Sequence, residues 1–193
     1  MNEQHNQAAD QRAVPIVLVG MMGAGKTTVG REYARRHSLR FLDCDQELVA
    51  RTGVSVPTIF EIEGEDGFRR RETHLLDQLT RESDLVLATG GGVVLNADNR
   101  AMLAERTIVV YLNVPPRVLW ERTRHDRNRP LLQVPNPRER IESLYRERDP
   151  LYREIAHIVV EGGRGSAGGM VRQVDKAIEE FRKTHANVER GVG

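Results

Sequence analysis

The stretch IVLVGMMGAGKTTVGREYARR, residues 16–36, limits what this chain can fold into more than any other. Gly20, Gly23, Gly25, Lys26 and Thr27 satisfy the pattern GxxxxGK[ST], directly after an apolar run and directly before a segment carrying Val29, Tyr33 and Ala34 at helical spacing. Glycines let the backbone wrap inward, so that successive N–H groups and the helix N-terminus face a polyphosphate. In that reading Lys26 reaches the β and γ phosphates and the Thr27 hydroxyl ligates Mg²⁺. The alternative is a glycine-rich strand-to-helix turn with a chance lysine.

Composition bears on that lysine. Lys and Arg together number 29, yet lysine occurs only at Lys26, Lys176 and Lys183. A compact ammonium on a flexible stem can follow a phosphoryl group between two oxygens, whereas a planar guanidinium is wider and prefers a fixed fork. Lys26 therefore marks a demand peculiar to its site.

Around this motif the pattern alternates. Apolar runs at 16–20, 40–43, 84–89, 107–112 and 157–161 read as buried strands, separated by longer charged segments with helical spacing. Such alternation implies an α/β fold with right-handed crossovers and a mostly parallel sheet covered on both faces. A chain of 193 residues with 39% hydrophobic content supports one core. The expected organisation is a disordered tail over 1–13, one domain over 14–184 and a flexible tail over 185–193. The first fourteen residues lack the apolar core of a signal peptide, and no apolar run is long enough to span a bilayer.

A net charge of +1 gives no global field for nucleic acid or an anionic membrane, so any basic site is local. The single cysteine, Cys44, excludes an intramolecular disulfide and a cysteine-rich zinc site, and fits a reducing cytoplasm.

In an open α/β sheet, ligands gather beyond the carboxyl ends of the strands. After the second run comes FLDCD, with Asp43 and Asp45 two apart on a segment expected to be extended, both on one face. These carboxylates could serve Mg²⁺ or accept a proton from an acceptor hydroxyl. A turn or helix cap at Asp45 is an equal alternative. Cys44 points the other way and reads as packing.

GEDGFRRRE places Arg69, Arg70 and Arg71 around most of a helix circumference. At least one should face inward, while the others meet solvent or Glu72. The third run enters TGGGVV, where Gly90, Gly91 and Gly92 remove side chains and let a ligand touch backbone. ERTRHDRNRPLLQVPNP carries Arg122, Arg124, Arg127 and Arg129 and reads as a mobile basic lid over about 122–136, or else as a solvated loop. Arg148 follows in RERDPLYRE, where Pro150 is expected to break one helix and begin another.

Taken in order, GMMGAGKTTVG, FLDCD, GEDGFRRRE, LATGGGVV, RPLL and RERDPLY resemble the shikimate kinase family over residues 14–183. The resemblance implies a three-layer P-loop kinase fold with a five-stranded parallel sheet, helices on both faces and a mobile lid. It implies transfer of the ATP γ-phosphate to the 3-hydroxyl of shikimate, in chorismate biosynthesis, with Mg²⁺ required. By the same resemblance ATP is held by Gly23, Ala24, Gly25, Lys26, Thr27, Thr28, Arg122 and Arg129, with GGRGSAG at 162–168 around adenine. Shikimate is held by Asp45, Arg69, Gly90, Gly91, Gly92 and Arg148, and the metal by Thr27 and Asp43. Lys26, Asp45 and Arg129 are the implied catalytic set, in a cytoplasmic monomer without nucleic-acid or membrane partners. The family commonly has serine after the lysine, and Thr27 keeps the hydroxyl.

Two alternatives remain from sequence. A gluconate or nucleoside monophosphate kinase also combines a P-loop with a lid, but would not ordinarily carry both FRRRE and TGGG. A nucleotide-dependent switch protein would form ADP without an acceptor.

Overall fold

The structure, a computed structural model, describes residues 13–125 and 132–190, with side chains described up to residue 185. Five parallel strands form one sheet: β1 (Ile16–Val19), β2 (Arg40–Asp43), β3 (Leu85–Ala88), β4 (Ile108–Asn113) and β5 (Ile158–Glu161), in the order β2-β3-β1-β4-β5. The register pairs Ile16 with Val86 on one side and with Ile108 on the other. All four residues of β1 and of β3 are buried, as continuous apolar runs require when both faces of a sheet are covered. The edge strand β5 instead alternates buried Ile158 and Val160 with exposed Val159 and Glu161.

Seven helices connect and cover the strands among the described residues: α1 (Lys26–Arg36), α2 (Cys44–Thr52), α3 (Val56–Leu79), α4 (Ala97–Arg106), α5 (Pro116–Thr123), α6 (Pro137–Ile155) and α7 (Ala167–Arg190). Helices α1 and α7 pack together against one side of the sheet, and α4 and α6 pack together against β4 on the other. Since α1 follows β1 and α4 follows β3, the chain leaves these adjacent strands toward opposite faces. That divergence opens a crevice at their carboxyl ends, where ligands collect in such sheets.

Helices α2 and α3 pack on each other as an insertion between β2 and β3. Ser55 caps α3 by accepting from the Thr58 N–H, and α3 is kinked at Gly64, with φ 69°. Beyond the kink the helix buries Phe68, Glu72, Leu75, Leu76 and Leu79.

Four expectations need correction. Asp45 does not lie on an extended segment: α2 starts at Cys44 and the cap is Asp43, whose carboxylate accepts from the N–H groups of Asp45 and Gln46. Pro150 does not divide α6, because Tyr152 and Ile155 beyond it still bury in the core and carry the helix through one missing N–H. Arg122 sits in the last turn of α5 rather than in a flap. Helix α7 continues to Arg190, so residues 185–190 are helical where a fraying tail was expected. The expected tail over 1–13, apart from Ala13, and the last three residues lie outside the described residues.

Candidate active site

The loop after β1 turns into α1 through Gly25, whose φ of 99° no β-carbon-bearing residue adopts without strain. Gly25 occupies the cap position of α1 without a side-chain cap, so the first N–H groups of α1 are left for a ligand. Lys26 is 9% exposed, and its ammonium donates to the carbonyl oxygens of Gly20 at 2.7 Å and Met21 at 3.0 Å. The lysine thus lies folded along its own loop.

Thr27 and Asp43 meet across the β1–β2 boundary. The Thr27 hydroxyl donates to Asp43 Oδ2 at 2.7 Å, while Asp43 Oδ1 accepts from the Asp45 N–H at 3.1 Å. One carboxylate therefore caps α2 and holds the hydroxyl beside the phosphate loop. Cys44 between the two aspartates is buried, and burial pushes its thiol well up, which makes it packing and not a nucleophile.

The insertion supplies the second half of the site. Of the three consecutive arginines, Arg69 turns inward and donates to Glu72 Oε2 at 2.7 Å and to Glu65 Oε1 at 3.2 Å. Arg71 pairs with Glu63 on the outer face, and Arg70 is exposed. Glu72 is 3% exposed, and its Oε1 has no hydrogen-bond partner. Burial pushes its carboxyl up from the ordinary range, against the pull of Arg69; Asp45 adds to the rise and Arg148 opposes it. Asp45, Arg69 and Arg148 thus surround one buried carboxylate.

The turn after β3 closes this cluster from below. A Cβ on Gly90 would stand 3.3 Å from Glu72 Oε1 and 3.4 Å from Asp45 Oδ1. A Cβ on Gly92 would overlap the Arg69 guanidinium, 2.8 Å from Nη1. Thr89 just before the turn donates from Oγ1 to the Leu18 carbonyl at 3.0 Å, tying it to β1. Arg148 is 5% exposed, and its Nε–H has no hydrogen-bond partner among the described residues. Buried guanidinium donors beside bare backbone suit a small carboxylate, which can accept two parallel N–H bonds.

At the far side of the phosphate loop, Arg122 donates to the carbonyls of Gly23 at 3.2 Å and Ala24 at 3.3 Å, and to Gly163 at 2.8 Å. It thereby joins the loop to the glycine-rich stretch at 162–168. Arg127 and Arg129, with the middle of the expected lid over 126–131, lie outside the described residues. Residues 124, 125 and 132–136 are described, and they alone outline no lid.

Sequence reasoning brought most of these residues together and overlooked two. Glu72 entered only as a possible partner for an arginine, although its spacing of three from Arg69 on a helix is a pairing signal. Tyr152, four residues after Arg148, donates its hydroxyl to the Gly91 carbonyl at 2.5 Å and gave no signal at all, since a tyrosine on a helix is ordinarily packing.

The family model described as shikimate kinase matches residues 22–182. A curated relative, the shikimate kinase of Aromatoleum aromaticum, is 79% identical over 168 residues, covering 87% of this chain and 96% of that protein. Among solved structures, the shikimate kinase from Acinetobacter baumannii in complex with shikimate superposes with a TM-score of 0.84 at 48% identity, over 90% of this chain and 97% of that one. A gluconokinase from Sinorhizobium meliloti aligns at TM-score 0.55 and 16% identity, over 94% of this chain and 100% of that one, a likeness of fold alone.

Proposed function

This chain belongs to the shikimate kinase family, and on that premise we propose how its own residues bind and align the two substrates. The enzyme is an ATP-dependent phosphotransferase that makes shikimate 3-phosphate and ADP. ATP lies along the loop of Gly23, Ala24, Gly25, Lys26, Thr27 and Thr28, with Arg122 beside the nucleotide. Shikimate lies in the crevice, its carboxylate held by Arg69 and Arg148 and by the backbone of Gly90, Gly91 and Gly92. The observation that carries this reading is the buried Glu72, around which Asp45, Arg69, Arg148 and Gly90 are gathered.

Alignment supplies most of the rate in such a transfer, because the phosphoryl group needs an in-line hydroxyl and neutralised charge more than covalent help. Two guanidinium groups fix the carboxylate end and so decide which ring hydroxyl is presented to the γ-phosphate. Asp45, the exposed carboxylate at the start of α2, accepts hydrogen bonds from the acceptor hydroxyls and takes the proton of the reacting one. Lys26 exchanges its carbonyl partners for phosphate oxygens, a short movement for a flexible ammonium. Arg129 adds positive charge to the transferring group.

Mg²⁺ fits the hydroxyl–carboxylate pair of Thr27 and Asp43, since both are hard oxygen donors and the ion ordinarily takes few protein ligands alongside phosphate. When bound, it neutralises phosphate charge. The described residues contain no cluster of three or more metal-ligating side chains, the pattern an all-protein cage would need. The near-neutral net charge and the single buried cysteine support a cytoplasmic enzyme without nucleic-acid partner. No helix among the described residues is long and apolar enough to cross a membrane. A monomer is the proposed state.

Asp45→Asn tests the assignment of roles. Turnover should fall by about 100-fold or more, the range for losing a positioned proton acceptor, while calorimetric affinities for ATP and shikimate change far less. Unchanged turnover would remove Asp45 from the chemistry.

A further inference from the structure

We infer that Tyr152 is a positioning residue for the acceptor: its hydroxyl fixes the Gly90–Gly92 turn against Arg148, and so sets the affinity for shikimate. The inference rests on the reading of Arg148 and that turn as the carboxylate cradle.

Helix α6 puts Arg148 and Tyr152 four residues apart on one buried face. The Tyr152 hydroxyl donates to the Gly91 carbonyl at 2.5 Å and stands 3.9 Å from Met21 Sδ in the phosphate loop. Arg148 lies near enough to the same phenol to oppose the rise that burial gives its pKa. The ring is held independently of the turn, stacked on Tyr111 of β4 with centroids 4.9 Å apart. Tyr111 in turn donates to Asp149 Oδ1 of α6 at 2.8 Å. Strand β4 and helix α6 therefore fix the phenol, and the phenol fixes the turn.

The turn's own backbone bonds run from the Val93 N–H to the Gly90 carbonyl at 3.2 Å and from the Leu95 N–H to the Gly92 carbonyl at 3.0 Å, while the Gly91 carbonyl accepts from the phenol. Space for a Cβ on Gly91 is bounded by the Met22 N–H nitrogen at 3.5 Å, the Gly20 carbonyl at 3.6 Å and the Tyr152 hydroxyl at 3.6 Å. Gly91 is thus held between the entrance of the phosphate loop and the phenol. Its neighbours face the other cradle groups, Gly90 toward Asp45 and Glu72 and Gly92 toward Arg69. A shift of Gly91 moves both.

Tyr152→Phe keeps the ring and its stacking and leaves the Gly91 carbonyl without its donor. The expected result is a shikimate KM and a calorimetric Kd raised about tenfold, in keeping with loss of one buried hydrogen bond. The KM for ATP and the turnover at saturating shikimate should stay within about threefold. Tyr145→Phe is the control: its hydroxyl, on the same helix, donates at 2.8 Å to Asn113 Oδ1 and not to the turn. It should lower the unfolding midpoint without weakening shikimate.

Unchanged shikimate affinity in Tyr152→Phe, whatever its stability, would overturn the inference and leave Tyr152 a packing residue. Equal weakening in both variants would overturn it too. Arg148→Met separates the two levels: if it binds shikimate normally, the cradle reading fails and takes the inference with it. If Arg148→Met loses shikimate and Tyr152→Phe does not, the inference alone fails.

Discussion

Arg69 donates from Nη1 to Glu72 Oε2 at 2.7 Å, and the carboxylate that accepts is buried while the arginine is still 21% exposed. The carboxylate is therefore the fixed partner, and it aims the arginine. Glu72→Gln removes the charge that holds Arg69 and should raise the shikimate KM about tenfold or more, the worth of a hydrogen bond to a charged group. Its KM for ATP should hold, as steady-state kinetics with each substrate varied would show.

The same carboxylate has a pH signature. Burial raises its pKa in the folded state, so between the ordinary carboxylate range and that raised value the folded chain binds more protons than the unfolded one. Its contribution to stability is present at low pH and declines as pH rises through that window. Urea unfolding at a series of pH values should show the wild type losing stability relative to Glu72→Gln as pH rises.

Gly92→Ala should disable the acceptor site without unfolding the chain. The backbone there has φ −93°, open to any residue, but the new Cβ occupies the space of the Arg69 guanidinium. That guanidinium is the far end of a flexible side chain, so it moves away and the fold remains. Shikimate affinity should fall at least about tenfold with the unfolding midpoint and ATP affinity nearly unchanged, measured by calorimetry.

Asp43 has two tasks that one substitution separates. Asparagine keeps an acceptor for the Asp45 and Gln46 N–H groups and so keeps the cap of α2, but gives up the negative charge beside Thr27. Asp43→Asn should therefore raise the Mg²⁺ concentration needed for half-maximal rate by about tenfold at wild-type stability. Asp43→Ala should in addition lose about 1 kcal/mol of stability with the cap.

Far from the site, His157 sets an acid limit. Its Nδ1 accepts from the Val109 N–H at 3.0 Å, completing the β4–β5 ladder, and protonation would replace that acceptor with a donor. Partial burial of the ring, with His185 nearby, lowers its pKa in the folded state. Stability should thus fall as pH drops from the ordinary histidine value through the lowered one. Thermal unfolding between neutral and acid pH should be less steep in pH for His157→Gln.

The strands and the phosphate loop were legible because each is a local pattern: apolar runs bounded by charge, and glycines at fixed spacing before Lys26. The proposed acceptor cradle was suggested only by resemblance, since Arg69, the Gly90–Gly92 turn and Arg148 come from three separate segments that periodicity cannot join. Asp43 and Asp45 were found but misassigned in local structure, because either aspartate can cap a helix and only the backbone decides between them. The contacts of Glu72 with Arg69 and of Tyr152 with the Gly91 carbonyl were not foreseen: a buried charge and a buried hydroxyl differ from surface and core residues only in what they touch. Pro150 was misread because packing of Tyr152 and Ile155 outweighs one lost helical hydrogen bond.

The measurement that tests the account most directly is ADP formation by the purified protein with Mg-ATP and, in turn, shikimate, gluconate, a nucleoside monophosphate or no acceptor. The account predicts rapid turnover with shikimate alone, abolished in Arg148→Met. Turnover without an acceptor, or preference for another acceptor, would contradict it and leave only the phosphate loop standing.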